Sequence, residues 1–246
     1  MSVVPPRAPP PAPTGRREGI LLKLGLVPST ATVVGEFLDA GLPADGASVL
    51  DAGCGRTSPL VPFRPRIADL VGVDIHRPQH DLPWLDRFVL ADLCRDDVAF
   101  APATFDLIVS SFTVEHFDDP PAAFRVMAVW LRPGGWLVLS TVNRANPFVN
   151  AYLSLPPAVG RPLQRAVKAQ AADAHRLVGT CNTPGRLRRD LSRAGLVDVE
   201  LVTVDHLARA WGRRPPTFLL GLAGDLASHP FPARRSTIVA RARRPA

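Results

Sequence analysis

The stretch Val49-Leu50-Asp51-Ala52-Gly53-Cys54-Gly55-Arg56-Thr57-Ser58 places two glycines two residues apart, directly after a short apolar run that ends in an acid. Glycine is used where the backbone needs a positive φ or must approach another group closely. An apolar run followed by such a turn is typical of the first strand of a doubly wound α/β sheet, in which ligands bind at the carboxyl ends of the strands. We therefore expect backbone amides of this turn to reach a ligand.

Apolar, strand-like runs alternate with helical stretches over most of the chain, which is the pattern of βαβ units around a parallel sheet. The runs predicted as strands are residues 48–51, 70–74, 87–90, 105–110, 136–142, 197–204 and 236–242. Pro28 is expected to interrupt a helical region over residues 20–40, and Thr183 to cap a helix that begins at Pro184. The sequence therefore predicts an α/β fold with a largely parallel sheet.

Two segments do not follow this alternation. Residues 1–15 are so rich in proline that helix and sheet are excluded, and we expect a disordered tail over residues 1–18. Residues 144–182 contain several prolines and only weakly helical pieces, so we expect a lid or substrate-binding insertion there. The remaining chain, residues 19–246, is predicted to be one domain.

Two further acids follow predicted strands. Asp74 ends the second strand, 23 residues after Asp51, and a carboxylate at that place can accept hydrogen bonds from both ribose hydroxyls. Asp92 follows the third strand, 18 residues later, where it can accept a hydrogen bond from an adenine amino group while the backbone at Leu93 meets the ring edge. A dinucleotide fold does not require this third acid. Three acids and a glycine turn around one crevice fit a nucleoside that carries a cationic tail.

With these motifs, residues 47–142 resemble the class I S-adenosylmethionine-dependent methyltransferases, specifically the type 11 group that includes ubiquinone-biosynthesis-like O-methyltransferases. The motifs that carry the resemblance are, in chain order, VLDAGCG, VGVDIH, ADL, FDLIVSSFTVEHFDDP and LRPGGWLVLST. The resemblance implies S-adenosyl-L-methionine as cofactor. It also implies a doubly wound, Rossmann-like, seven-stranded sheet that is mostly parallel, with an antiparallel final strand.

The resemblance also assigns roles to the residues of these motifs. It implies that Asp51, Gly53 and Gly55 surround the methionine part of the cofactor. Asp74 would contact the ribose, Asp92 and Leu93 the adenine, and Ser110 would form the floor of the crevice. Ile75, next to Asp74, would also belong to the cofactor-binding residues. In one respect the sequence departs from the family, because Thr57 stands where many relatives have a third glycine. Any single acid of this set could instead cap a helix or lie in a solvated turn.

Glu115 and His116 follow the fourth predicted strand, where relatives place groups that face the substrate. If the methyl acceptor is a hydroxyl, His116 can take its proton as a general base, and Glu115 can hold the other ring nitrogen. Either residue could instead cap the next helix. No metal is predicted, because the histidines lack metal-ligand spacing and the three cysteines form no CxxC pair.

Charge and hydropathy limit the partners and the location. The chain carries a net charge of +7, with 16 basic and 6 acidic residues in positions 161–246, a balance that can attract nucleic acid or anionic lipid. No run approaches the eighteen apolar residues of a membrane span. We expect a cytoplasmic protein that acts on a small molecule and does not bind nucleic acid; the sequence leaves the oligomeric state open.

Two other functions remain open at this stage. An NAD-dependent oxidoreductase would share the glycine turn and Asp74, but it prefers a glycine where Ser58 stands and does not require Asp92. A noncatalytic adapter would keep the fold and the cofactor and would bind RNA or a protein through the basic C-terminal third.

Overall fold

The computed structural model describes residues 15–95, 100–156, 180–212 and 214–246. The described strands are β1 Ala47–Ala52, β2 Ile67–Asp74, β3 Arg87–Leu90, β4 Phe105–Ser111, β5 Leu131–Val142, β6 Val197–Val204 and β7 Thr237–Arg243. The described helices are α1 Arg16–Lys23, α2 Thr30–Gly41, α3 Pro120–Trp130, α4 Pro147–Leu153, α5 Pro184–Arg193, α6 Leu207–Ala210 and α7 Pro215–Ser228. Short 3-10 turns cover Val61–Arg66, Val114–His116 and Pro232–Arg234.

The seven strands form one sheet in the order β3-β2-β1-β4-β5-β7-β6. β1 pairs in parallel with β2 and with β4, and β5 continues the parallel set beside β4. β7 lies between β5 and β6 and is antiparallel to both. The predicted fold class, a mostly parallel seven-stranded sheet with an antiparallel final strand, is therefore confirmed.

β5 begins five residues earlier than the sequence predicted. Leu131 pairs with Phe105 before a register shift, and regular pairing resumes at Leu107 and Trp136. Gly134, at a φ of 80°, lies within this irregular stretch. The strand therefore has an irregular first segment over residues 131–135.

Helices cover both faces of the sheet. Successive side chains of a strand point to opposite faces, so neighbouring residues of one strand pack against different helices. On β4, Ile108 packs into the apolar cluster that includes Phe124 and Met127 of α3. Its neighbour Leu107 packs instead into the cluster that contains Val34 and Leu38 of α2. Both clusters consist of buried side chains, so the central strands are buried on both faces, as in doubly wound sheets.

The helix boundaries follow local capping chemistry. Thr183 caps α5, and its hydroxyl accepts a hydrogen bond from the Arg186 amide at 3.4 Å, as the sequence predicted. Asp119 caps α3 in the same way, accepting from the Ala122 amide at 3.0 Å. These caps therefore fix the residues at which α3 and α5 begin.

Two predicted segments lie largely outside the described residues. Residues 1–14 of the predicted tail are not described, and residues 16–18, which the sequence placed in that tail, belong to α1. Of the predicted insertion, residues 157–179 are not described, and its beginning forms α4. The lid therefore stays a prediction. In the described portion of the chain, no helix is long and apolar enough to cross a membrane.

Candidate functional site

The glycine turn after β1 is packed against two neighbouring strands. The amides of Gly53 and Cys54 donate to the Val73 carbonyl at 2.7 and 3.1 Å, which ties the turn to the end of β2. Gly53 has a φ of 80°, and a Cβ atom there would lie 2.7 Å from the Cβ of Thr113, just beyond β4. Thr113 therefore packs so closely on the turn that residue 53 has no room for a side chain. The approach of the turn's backbone amides to a ligand stays a prediction.

Asp51 is buried at the base of this turn, with 1% of its surface exposed. Burial raises the pKa of Asp51 from 3.8 to about 7, although a hydrogen bond from the Ser58 hydroxyl opposes the rise and nearby Asp74 adds to it. A cation placed beside this carboxyl group would stabilise its ionised form. Asp51 is thus suited to a positively charged ligand group.

Asp74 ends β2 and holds the turn from the other side. Its Oδ2 accepts from the Gly55 amide at 3.1 Å, and its Oδ1 accepts from the His76 amide at 2.9 Å. A carboxylate offers about four lone-pair positions, so hydroxyl groups of a ligand can still bind it. Ile75, the next residue, has 57% of its surface exposed and provides an apolar group at the same edge.

Asp92 and Leu93 follow β3 at this edge of the sheet. Asp92 Oδ1 accepts from the Cys94 amide at 2.9 Å, and its Oδ2 lies 3.4 Å from Arg95 Nε. The Leu93 side chain is buried in the core beneath the loop. The short turn is therefore fixed by its own hydrogen bond, with the carboxylate partly exposed and the side chain of Leu93 anchored.

Ser110 lies near the end of β4 and is fully buried. Its hydroxyl donates to the Ala52 carbonyl at 2.9 Å, which joins the ends of β4 and β1. The hydroxyl of Thr113 makes a similar link, donating to the Gly53 carbonyl at 3.3 Å. The structure thus gives Ser110 a part in holding the strands below the glycine turn.

Glu115 and His116 lie in the 3-10 turn after β4. Glu115 is buried, and its carboxylate accepts from the Thr141 hydroxyl at 2.9 Å. Thr141 in turn receives a hydrogen bond from Asn182, which connects Glu115 to the start of α5. His116 is half-buried, and its amide donates to the Thr113 carbonyl at 2.9 Å. Glu115 therefore lies where it can position the turn, and the catalytic roles of both residues stay predictions.

Sequence reasoning missed three residues at the same edge of the sheet. Phe112 has a φ of 52°, an unusual conformation for a bulky side chain, and its ring stacks on His206 with centroids 5.3 Å apart. His206 Nδ1 lies 3.2 Å from the Thr30 hydroxyl. His206 follows the predicted strand β6, so the rule that selected Asp92 after its strand could have selected it too.

The described residues offer neither a metal site nor an activated thiol. Within the described ranges, no group of three or more metal-ligating side chains comes together. Burial raises the pKa of both Cys54 and Cys181 to about 12, so these thiols stay protonated at neutral pH. A thiolate nucleophile requires a lowered pKa.

The part of the chain that contains the glycine turn and the strand ends is similar to known proteins. Residues 31–201 match the sequence model of a family described as "Methyltransferase domain". A curated relative from Cereibacter sphaeroides (strain ATCC 17025 / ATH 2.4.3), named ubiquinone biosynthesis O-methyltransferase, is 35% identical over 131 residues, which is 48% of this chain and 51% of the relative. The chain thus spans about half the length of the curated relatives it matches.

Solved structures share the fold at low sequence identity. One comes from the complex between the Haloferax volcanii Trm112 methyltransferase activator and a methyltransferase, with a TM-score of 0.60, 19% identity and coverage of 88% of this chain and 89% of the other. Another is Haemonchus contortus phosphoethanolamine N-methyltransferase 2 in complex with S-adenosyl-L-methionine, with a TM-score of 0.56, 14% identity and coverage of 87% and 53%. At these identities the likeness concerns the fold alone.

Proposed function

The chain belongs to the methyltransferase domain family, and from that premise we propose that it transfers a methyl group from S-adenosyl-L-methionine to an oxygen atom of a small molecule. The observation that carries the proposal is the arrangement of Asp51, Asp74 and Asp92 at the carboxyl ends of three neighbouring strands, beside a turn in which Gly53 and Gly55 have positive φ angles. Fold alone would not support an activity, since one fold hosts many functions.

The residues present fit this cofactor. Asp51, which is buried and has a raised pKa, suits the cationic end of the methionine part. Asp74 keeps lone pairs for the ribose hydroxyls beside Ile75, and Asp92 with the Leu93 backbone suits the adenine edge. The relative from Haemonchus contortus was solved with S-adenosyl-L-methionine bound, which supports the same choice here.

Little side-chain chemistry is required for such a transfer. When bound, the cofactor supplies an electrophilic methyl group on its sulfonium, so the protein mainly aligns the acceptor and excludes water. We assign His116 to the removal of the acceptor proton, and buried Glu115, held by Thr141, to positioning the turn that carries His116. An acceptor that is already an anion would need no base.

The choice of oxygen rests on the curated relatives. The relative from Cereibacter sphaeroides, which matches 131 residues of this chain, is named as a ubiquinone biosynthesis O-methyltransferase. The acceptor of this chain is therefore proposed as a small molecule with a hydroxyl group. Nucleic acid is not proposed as a substrate.

The oxidoreductase alternative loses support at Ser58. A dinucleotide enzyme prefers glycine at this position, because a helix packs closely on the strand there. Here the Ser58 hydroxyl donates to Asp51 and its oxygen accepts from the Leu60 amide at 3.2 Å. The Ser58 side chain therefore makes two hydrogen bonds at a position where dinucleotide-binding enzymes have a glycine without a side chain.

Calorimetry with Asp74→Ala tests the cofactor assignment. We expect the wild type to bind S-adenosyl-L-methionine and its demethylated product, and Asp74→Ala to lose about 1 to 3 kcal/mol of binding free energy because ribose hydroxyls lose their charged acceptor. Asp69→Ala is the matched control, since Asp69 lies near the start of the same strand, is only partly buried and pairs with Arg87 at 3.7 Å. Tight binding of NAD, with no binding of either sulfur nucleoside, would overturn the assignment.

A labelled-methyl screen then tests the acceptor. A cofactor with an isotopically labelled methyl group is incubated with the protein and a metabolite extract, and mass spectrometry identifies the molecules that gain the label. We expect one or a few hydroxylated small molecules to carry it. Label found only in RNA or protein would contradict the small-molecule proposal.

A further inference from the structure

Helices α1 and α7 pack together on the outside of the domain. Leu21 of α1 and Leu26 just beyond it share a buried cluster with Phe218 of α7 and Ala208 of α6. The guanidinium of Arg17 lies over the Phe218 ring, 5.3 Å from its centroid. The two helices therefore form one surface, called here the α1–α7 surface and comprising residues 16–27 and 214–231.

This surface carries most of the exposed large apolar side chains. Of thirteen such side chains in the described parts of the chain, eight lie in residues 16–27 and 214–231. Leu219 and Leu220 are the most exposed leucines, at 61% and 54%. A scattered exposed leucine is ordinary, but apolar groups concentrated on two packed helices mark a contact surface.

The outer face of α7 has no charged side chain. Leu219, Ala223 and Leu226 are exposed at helical spacing i, i+4 and i+7. Asp225, the one charged residue of this helix, is turned inward, where it accepts from the amides of Leu207 and Ala208 at 3.0 and 2.8 Å. A solvent-facing helix normally carries charged or polar residues on its outer face, so this face is suited to an apolar environment.

The charges that border this apolar face are positive. Among the described residues of the α1–α7 surface, the exposed charged side chains are Arg16, Arg17, Lys23 and Arg214. Its other acid, Glu18, is paired with Arg209 at 2.6 Å. A leucine-rich face with a basic border, on helices that lie along the surface, is the pattern by which proteins bind anionic lipid headgroups and the apolar layer beneath them.

We propose that the α1–α7 surface docks this protein on an anionic lipid bilayer, with both helices lying in the interface and the leucines entering the acyl layer. A protein partner fits less well, because the centre of protein interfaces favours aromatic residues, methionine and arginine, whereas the outer face of α7 presents leucine and alanine. The proposal goes beyond methyl transfer and does not depend on it.

Docking would bring the bilayer beside the candidate site. Ala208 packs with both helices, and it lies two residues after His206, which stacks on Phe112 at the carboxyl end of β4. Thr30, the partner of His206, follows α1 at the start of α2. A molecule dissolved in the bilayer would therefore meet the protein on the His206 side of the crevice.

Vesicle co-sedimentation of the full chain tests the proposal. The vesicles contain phosphatidylcholine alone or phosphatidylcholine mixed with phosphatidylglycerol. We expect binding to the anionic vesicles, weak binding to the neutral ones, and a marked decrease as salt rises from about 0.05 to 0.5 M because exposed charges are then screened. Lys23→Gln with Arg16→Gln should lower the anionic binding severalfold.

Leucine variants distinguish vesicle binding through the α1–α7 surface from nonspecific adsorption of exposed apolar side chains. Leu219→Gln with Leu220→Gln should lower the partition coefficient at least tenfold, since both side chains are exposed and their loss leaves the core intact. The matched control is Val61→Gln with Val129→Gln, two exposed apolar residues elsewhere, and it should stay within twofold of wild type. Calorimetry with S-adenosyl-L-methionine should give the same affinity for all these variants, which shows intact folding independently of vesicle binding.

Three results would overturn the proposal. One is no sedimentation of the wild type with anionic vesicles, and another is sedimentation unchanged in the double leucine variant. The third is a dimer in analytical ultracentrifugation that the leucine variant abolishes, because a second copy of the chain would then cover the surface.

Discussion

The sequence identified Asp51 as a candidate site residue, but it could not predict the protonation state of its carboxyl group. Its position after an apolar run and before two glycines marked it as a site residue. Its pKa of about 7 arises from burial, opposed by Ser58 and reinforced by Asp74, and these contacts come from residues 7 and 23 positions away. The spacing of acids predicts where carboxylates meet, and only the packed structure determines how each is solvated.

Stability of the ligand-free protein should report this state of Asp51. The folded protein binds the Asp51 proton up to about pH 7 and the unfolded chain only up to 3.8, so the contribution of Asp51 to stability is full below about pH 4 and is lost as pH rises through 7. Asp51→Asn, which keeps an acceptor for Ser58, should therefore gain about 2 to 3 kcal/mol relative to wild type between pH 5 and pH 8. Urea unfolding at both pH values measures the difference, and an unchanged difference would contradict the raised pKa.

His116 is a prediction of a different kind, because its role depends on the acceptor. Once an acceptor is known, His116→Ala should lower turnover by about 10²- to 10⁴-fold, the usual contribution of a general base. Affinity for S-adenosyl-L-methionine and the melting temperature should stay close to wild type, and chelators should leave activity intact. If the variant melts early but turns over normally, the histidine has a packing role and the base assignment is wrong.

Among the elements that the structure describes, apolar periodicity together with proline and capping residues located all seven strands and the helices of residues 20–40 and after Thr183, but not α6 or α7. β3 and β6 have the predicted bounds, and α5 begins at the predicted cap. The early start of β5 escaped prediction because it depends on Leu131 pairing with Phe105 across the sheet. The Phe112–His206 stack escaped for the same reason, since it joins the ends of β4 and β6, 94 residues apart.

The turn after β1 allows a matched test of close packing. Gly53 and Gly134 both have a φ of 80°, but a Cβ on Gly53 would meet Thr113, whereas a Cβ on Gly134 has no atom within 4 Å. Both alanine variants should lose about 1 to 2 kcal/mol from the left-handed conformation. Only Gly53→Ala should lose further stability and most of its affinity for S-adenosyl-L-methionine, measured by denaturation and calorimetry. Equal losses in the two variants would show that Thr113 moves away at little cost.

At the scale of the whole molecule, the sheet depends on its last strand. β6 is paired with β7, and β7 with β5, so β7 attaches β6 to the rest of the sheet. Thr203 and Ile238, and then Ile238 and Thr141, are register partners across this three-strand set. The resemblance to a known family predicted the direction of β7, which the alternation of runs alone could not supply.

Removal of β7 should therefore prevent folding. A chain that ends at Ser236 should show no cooperative thermal unfolding by circular dichroism, because β6 loses its only neighbour in the described sheet. A chain lacking only Pro245 and Ala246 is the control, since it keeps β7 and Arg244, whose amide donates to the Gly135 carbonyl at 2.9 Å. It should melt like the full chain. A cooperative transition in the shorter chain would contradict the dependence on β7.

The position of β7 also has a consequence during translation. Val142 and Thr237 are register partners, yet 95 positions separate them along the chain. At about 5 to 20 residues per second, a ribosome needs roughly 5 to 20 s to travel that distance. For that time the nascent chain carries the whole glycine turn and its three acids, while the edge of β5 that faces away from β4 has no partner strand. Until the last strand emerges, that edge can pair with another chain.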